Sequence, residues 1–313
     1  MAAPPVAVTA GADSELPTIV SGGQDHRVKR WDSSGRLTDT PGNLEDAVNV
    51  LLVLPGGNLA AGAADGTVHI WSLADGKALQ SFTASKGAVN ALACSSDGKM
   101  IAVGTADGAI TVWNTTNGKR LSETPAHSGG VTAMQLSSDG TLLVSGSADK
   151  TIRIWKVSMA ADSGRLDYKS NIAAHDDAVT GMALATGDSM LATVSADGYL
   201  KTWRLDGGLV GRMKVSDKGA ASVAISPDGK LAATGDNDGR VRLWNLTTSA
   251  ALPTIFMHDK DSAVTAIAFA ANGHVLVTAG ADKTIRYWNI ENGQKLKTLA
   301  AHDGAVRALA LLP

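Results

Sequence analysis

Cysteine is nearly missing from this chain: Cys94 is the only one in 313 residues. An internal disulfide is therefore excluded, and with it the small stapled scaffolds that depend on such bonds. Cys94 closes the apolar run "VNALAC", a setting that suits a buried thiol better than a reactive one. Phenylalanine and tyrosine are scarce, three of each. No apolar run is long enough to span a bilayer, and the start "MAAPPVAVTAGADSE" has neither a basic leader nor an apolar stretch of signal length. Excess charge of one sign is also lacking, since 28 basic and 30 acidic residues leave a net charge of −2. That balance removes the electrostatic basis for sequence-independent attraction to phosphate backbones or anionic membranes. A soluble, cytoplasmic protein without nucleic-acid or membrane partners is the expectation. A processed secreted domain, or one excised from a longer chain, would read the same way.

What the chain does contain is a core-forming composition, 44% hydrophobic and 19% charged, and seven tryptophans. Its length exceeds the usual limit of one core unless a repeat architecture removes that limit. The tryptophans supply the repeat: Trp31, Trp71, Trp113, Trp155, Trp203, Trp244 and Trp288 are separated by 40, 42, 42, 48, 41 and 44 residues. Six residues before each stands an aspartate: Asp25, Asp65, Asp107, Asp149, Asp197, Asp238 and Asp282.

Between each pair lies an alternating segment such as "TVHIW", "TIRIW" or "RVRLW", the period-two pattern of a half-buried strand. Upstream come a run ending in small residues ("LLVSGSAD", "LAATGDND") and, before it, a third run ("VTAMQL", "VTAIAF"), separated by turn clusters such as "SSDGK" and "AANGH". After the tryptophan a tight turn ("TNGK", "ENGQ") leads into a fourth strand such as "KALQSF". Helical periodicity is nowhere sustained. Four antiparallel strands in about 42 residues match the blade of a propeller.

These residues resemble the WD-repeat, or transducin-β-like, propeller family over residues 15 to 313, although the literal Trp-Asp pair survives only at Trp31-Asp32. The resemblance implies an all-β, seven-bladed propeller of four-stranded antiparallel blades. Residues 302 to 313 have the form of a first strand without a second, and residues 15 to 25 the form of a second strand without a first. Joining them gives a tryptophan spacing of 42, whereas the whole N-terminus would give 56. The ring is thus expected to close with a C-terminal innermost strand on the N-terminal blade, because open edges invite aggregation. Residues 1–14 become a flexible lead-in, and "PVAVTA" serving as the inner strand is the rival.

In the family, a histidine, a serine or threonine, the turn aspartate and the tryptophan form a hydrogen-bonded network within each blade. The pattern carries over to His127, Ser145, Asp149 and Trp155; to His175, Thr193, Asp197 and Trp203; to His258, Thr278, Asp282 and Trp288; and to His302, Ser21, Asp25 and Trp31. Serine, histidine and aspartate together have the composition of a hydrolase triad. Their recurrence beside an indole donor fits the satisfaction of buried polar groups instead, so the structural role is adopted and no catalytic residue is assigned. Three blades depart, pairing Leu44 and Ala61 with Trp71, Ser85 and Val103 with Trp113, and Ser216 and Thr234 with Trp244; their indoles are expected to need other acceptors or water. His26, His69 and His274 lack metal-ligand spacing and read as solvated positions; the Asp-Gly pairs sit in turns rather than phosphate loops. No metal and no cofactor are expected.

In such propellers the loops entering the inner strands and the turns before the aspartates share one rim, commonly the partner-binding face. Here that rim carries Glu45, Asp46, Lys86, Asp176, Asp177, Asp217, Lys218, Asp259, Lys260, Asp261 and Asp303, and it leans acidic. The expected function is a non-enzymatic, monomeric interaction scaffold, with Glu45, Asp46, Asp176, Asp177, Asp259, Asp261 and Asp303 receiving basic segments of a protein or peptide. The alternative is a sensor or catalytic module of a larger multidomain protein with its site in the central channel. A long stretch between Trp155 and Trp203, "KVSMAADSGRLDYKSN", reads as a tolerated loop insertion on the opposite rim, with docking through Arg165 and Tyr168 as its rival.

Overall fold

In a computed structural model the protein is described over residues 16–160 and 163–312. Its strands form seven separate four-stranded antiparallel sheets. Six blades follow the chain order from inner to outer strand: blade 2 spans residues 48–83, blade 3 residues 89–125, blade 4 residues 131–173, blade 5 residues 179–214, blade 6 residues 220–257 and blade 7 residues 264–300. The alternating sequence dictates which side chains go inward. In Thr151–Ala160, for example, Ile152 and Ile154 are fully buried while Arg153 between them is not. The second strand of each blade is buried on both faces, whereas the outermost strand, such as Ala78–Thr83, is mostly exposed.

Blade 1 is assembled from both ends of the chain. Val306–Leu311 lies innermost and pairs antiparallel with Ile19–Gly23 in the register Ile19↔Leu311 and Val20↔Ala310; Arg27–Trp31 and Leu37–Asn43 complete the sheet. The ring therefore closes as the tryptophan spacing predicts. The expected lead-in at 1–14 and the rival strand "PVAVTA" lie outside the described residues.

The core is divided among the blade junctions. Trp31 packs with Ile285 and Tyr287 of blade 7, Trp71 with Val20 and Val28 of blade 1, and Trp113 with Val68 and Ile70 of blade 2. Trp155, Trp203, Trp244 and Trp288 pack likewise on the strands of blades 3, 4, 5 and 6. Each indole is thus the wedge that its own blade drives against the preceding one. Phe82 and Phe256 join these wedges, with ring centroids 4.3 Å from Trp113 and 5.3 Å from Trp288.

The insertion after Trp155 is not a loop. It extends the two outer strands of blade 4 to Thr151–Ala160 and Ser163–Ala173, which stay paired through Val157↔Leu166. Gly164 lies against Val112 and Leu166 joins the core of blade 3, so the extra residues bury apolar surface on the neighbouring blade. Arg165 pairs with Asp167 at 2.6 Å, and Tyr168 meets the edge of Trp155 at 5.9 Å.

Candidate partner-binding rim

Every second-to-third strand turn places the residue after its aspartate in the left-handed region. Glycine fills that place at 66, 108, 198 and 239, and His26, Lys150 and Lys283 fill it in the other blades. The turn aims the aspartate back at the loop from the preceding blade, where the histidine stands. His127 Nδ1 lies 3.0 Å from Asp149 Oδ2 and its Nε2 2.8 Å from Ser145 Oγ, while the Trp155 indole donates to the same Oγ at 2.9 Å. His175 repeats this with Asp197 (2.9 Å), Thr193 (3.0 Å) and Trp203. His258 meets Asp282 at 2.9 Å and Thr278 at 2.7 Å, with Trp288 donating to Thr278. Across the two chain ends, His302 meets Asp25 at 2.7 Å and Ser21 at 2.8 Å, and Trp31 donates to Ser21.

With the indole N–H on one lone pair of the hydroxyl, the geometry accommodates a neutral imidazole at His127, His175 and His302, the hydroxyl proton going to Nε2 and Nδ1–H to the carboxylate. Burial lowers the pKa of His127, His175 and His302, against the opposing pull of their aspartates. For Asp149, burial alone would raise the pKa, but hydrogen bonds from Thr151 and His127 outweigh it and hold the group at about 2. Ser21, Ser145, Thr193 and Thr278 are fully buried, so no substrate carbonyl can reach the hydroxyl that a hydrolase would use as nucleophile.

In the departing blades the structure is more economical than the sequence suggests. Trp244 keeps the ordinary acceptor, donating to Thr234 at 2.8 Å, because losing the histidine to Ser216 leaves the hydroxyl in place. Trp113 takes a new acceptor, Thr111 at 2.8 Å, while Ser85 and Thr105 both donate to Asp107. Trp71 stacks on His69 at 5.6 Å, and Leu44 packs beside it in place of an imidazole. His69 is accordingly half-buried rather than solvated; His26 and His274 are exposed, the latter paired with Glu291 at 2.9 Å.

The networks also hold the rim. Their aspartates accept backbone N–H groups from the loops entering the inner strands: Asp176 N to Asp197 at 3.0 Å, Asp259 N to Asp282 at 3.2 Å and Asp303 N to Asp25 at 3.1 Å. Glu45, Asp176, Asp177, Asp217, Asp259, Asp261 and Asp303 are exposed on these loops and Asp46 is half-buried. Two of the expected acidic residues are already engaged. Asp259 pairs with Arg286 at 2.7 Å, and Asp261 pairs with Lys218 at 3.1 Å, which also binds Asp238 at 2.6 Å. Tyr199, near this rim, is covered by Arg212 and Lys214 at 4.0 and 4.6 Å from its ring.

Sequence reasoning missed a second ring. The second residue of every inner strand is bulged out of register, at Asn49, Asn90, Thr132, Thr180, Ala221, Thr265 and Arg307. Side chains at or next to these positions, and in blade 4 Gln135 further along the strand, tie each inner strand to the following one. Asn49 donates to the Val89 carbonyl (3.2 Å), Asn90 to Val131 (3.4 Å), Gln135 to Met182 (3.4 Å) and Thr180 to Ala220 (2.6 Å). Ser222 donates to Val264 (2.7 Å), Thr265 to Val306, and Arg307 to the Asn49 side chain (2.6 Å). The signal was present as a polar second residue in "VNVL", "VNAL", "VTAM", "VTGM", "VTAI" and "VRAL". Among the described residues no cluster of histidine, cysteine, aspartate and glutamate could hold a metal ion.

Comparison with known proteins agrees with this geometry. A family model described as IFT122 first beta-propeller matches residues 88–304, and the model of the WD domain, G-beta repeat matches residues 36–72. A crystal structure of the computationally designed Ika8 protein is 28% identical, covering 95% of this chain and 88% of its own, with a TM-score of 0.73. No curated protein matches the chain. With more than half of its length matched by a propeller model, and with the repeat and the blades just described, the chain belongs to the WD-repeat β-propeller family.

Proposed function

We propose that this propeller is a non-enzymatic protein-interaction scaffold whose acidic rim receives basic peptide segments. Propellers of this family are generally scaffolds for protein partners, and generally not enzymes. The observation that carries the rim reading is the fixing of Asp176 and Asp303 by backbone bonds to buried aspartates, which presents exposed carboxylates from a rigid frame. Asp259 and Asp261 contribute less, since Arg286 and Lys218 already offset their charge. Glu45, Asp46, Asp176, Asp177 and Asp303 form the effective acceptor set.

The test is fluorescence polarisation with a labelled arginine-rich hexapeptide, using the wild type and an Asp176→Lys, Asp177→Lys, Asp303→Lys variant whose fold is checked by circular dichroism. Binding that weakens with added salt and falls at least about tenfold in the variant is expected, because screening acts most strongly on exposed charges. No binding by the wild type, or equal binding by both proteins, overturns the rim reading.

A further inference from the structure

On the face opposite the acidic rim, where the inner strands of blades 1, 2, 3 and 7 end, a cavity of about 1230 Å³ opens. Ligand sites occupy roughly 300–1,000 Å³ and are mostly apolar with few convergent polar groups. This cavity is somewhat larger but has that lining: Val53, Leu54, Leu73, Phe269, Leu311 and Leu312 contribute to its wall, and Arg30 is the one charged side chain among the described residues lining it.

Arg30 is out of pattern. The residue preceding the tryptophan points between blades and is buried as Ile70, Val112, Ile154, Thr202, Leu243 and Tyr287 in the other six repeats. Blade 1 alone puts a cation there, half-buried in an otherwise apolar junction. A guanidinium in such a place is unfavourable unless its donors are met. One is met, by Nη1 to the Leu73 carbonyl at 2.9 Å, and among the described residues no carboxylate forms an ion pair with it. A single fork of N–H donors beside an apolar wall matches one carboxylate, whereas a phosphate dianion would leave a charge uncompensated.

We propose that this cavity binds an aliphatic monocarboxylate, its chain against the Leu54, Phe269 and Leu312 side and its carboxylate on Arg30. The site is separate from the rim, so its test is independent of the peptide experiment. Cys94, the chain's only cysteine, also lines the cavity and reports its occupancy. Burial pushes its thiol up to about 11, so alkylation is slow and readily timed.

The experiment titrates decanoate, decylamine and a leucine-rich peptide with a free C-terminus into the full chain by calorimetry, and times Cys94 alkylation with and without decanoate. Two variants accompany it: Arg30→Leu, which installs the residue type blade 6 carries at Leu243, and Arg30→Lys, which keeps the charge but loses the fork. Stoichiometric binding of decanoate over decylamine is expected, with slower Cys94 alkylation, at least a tenfold loss in Arg30→Leu and a smaller loss in Arg30→Lys. Unfolding temperatures show whether each variant is folded. If Arg30→Leu fails to fold, the Arg30→Lys loss and the alkylation protection decide. Equal binding of decanoate and decylamine, unchanged affinity in the folded variants, unprotected Cys94, or binding of the peptide alone overturns the proposal.

Discussion

Thr193 and Thr234 differ in how much one hydroxyl is asked to do. Thr193 accepts from the Trp203 indole and donates to His175, so replacing it with valine strands two buried partners; Thr234 serves only Trp244. Thr193→Val is expected to cost about 1–3 kcal/mol and Thr234→Val distinctly less, read from urea unfolding midpoints. Equal losses would show that the histidine adds nothing to its blade. The same networks make stability depend on pH. The buried imidazoles of His127, His175 and His302 have pKa values below 6.5, so the unfolded chain takes up protons that the folded one refuses. Stability is complete above pH 6.5 and falls as pH drops below it. The lowered carboxylates Asp25, Asp149, Asp197 and Asp282 act in the same direction, contributing above pH 3.8 and losing that contribution as pH falls toward their folded values. The unfolding temperature should therefore decline in two stages on acidification, and a flat profile between pH 7 and 5 would contradict the neutral-imidazole assignment.

At the scale of one strand or turn, local chemistry was legible where a residue must satisfy its own neighbours. The Asp-Gly turns are an instance: Gly108 has φ +85°, and a Cβ there would collide with the His127 carbonyl. Gly108→Ala should destabilise by about 1–2 kcal/mol, more than alanine at Gly140, where nothing lies within 4 Å of the added atom. Similar unfolding midpoints for the two variants would remove the clash from the account. What one repeat cannot reveal is a contact made with the next. The bulge that turns Asn49 and Thr180 toward the following inner strand left only a polar letter in an apolar run, and the extension of blade 4 read as a loop because its apolar partner surface belongs to another repeat, blade 3.

For the whole molecule, closure is the decisive step. Blade 1 draws Val306–Leu311 and His302 from the C-terminus and Ser21, Asp25 and Trp31 from the N-terminus, and Arg307 completes the ring of ties at Asn49. Deleting residues 301–313 would remove an inner strand, a histidine and two junction ties together, and would leave Ile19–Gly23 as an open edge. That deletion is expected to abolish cooperative thermal unfolding and promote aggregation on gel filtration; a monomeric, cooperatively unfolding product would show that the ring does not depend on its clasp. Blade number, strand count and the closing of blade 1 by a C-terminal inner strand were determined by the sequence alone, because a period of about 42 residues repeats one local solution and the strands left over at the two ends complete that period. Only the tertiary structure decided which rim carboxylates are already paired, that the inner strands are tied into a ring, and that Arg30 opens into a cavity of four blades. Each of those depends on side chains from different repeats meeting in space, and no spacing within one repeat records such a meeting.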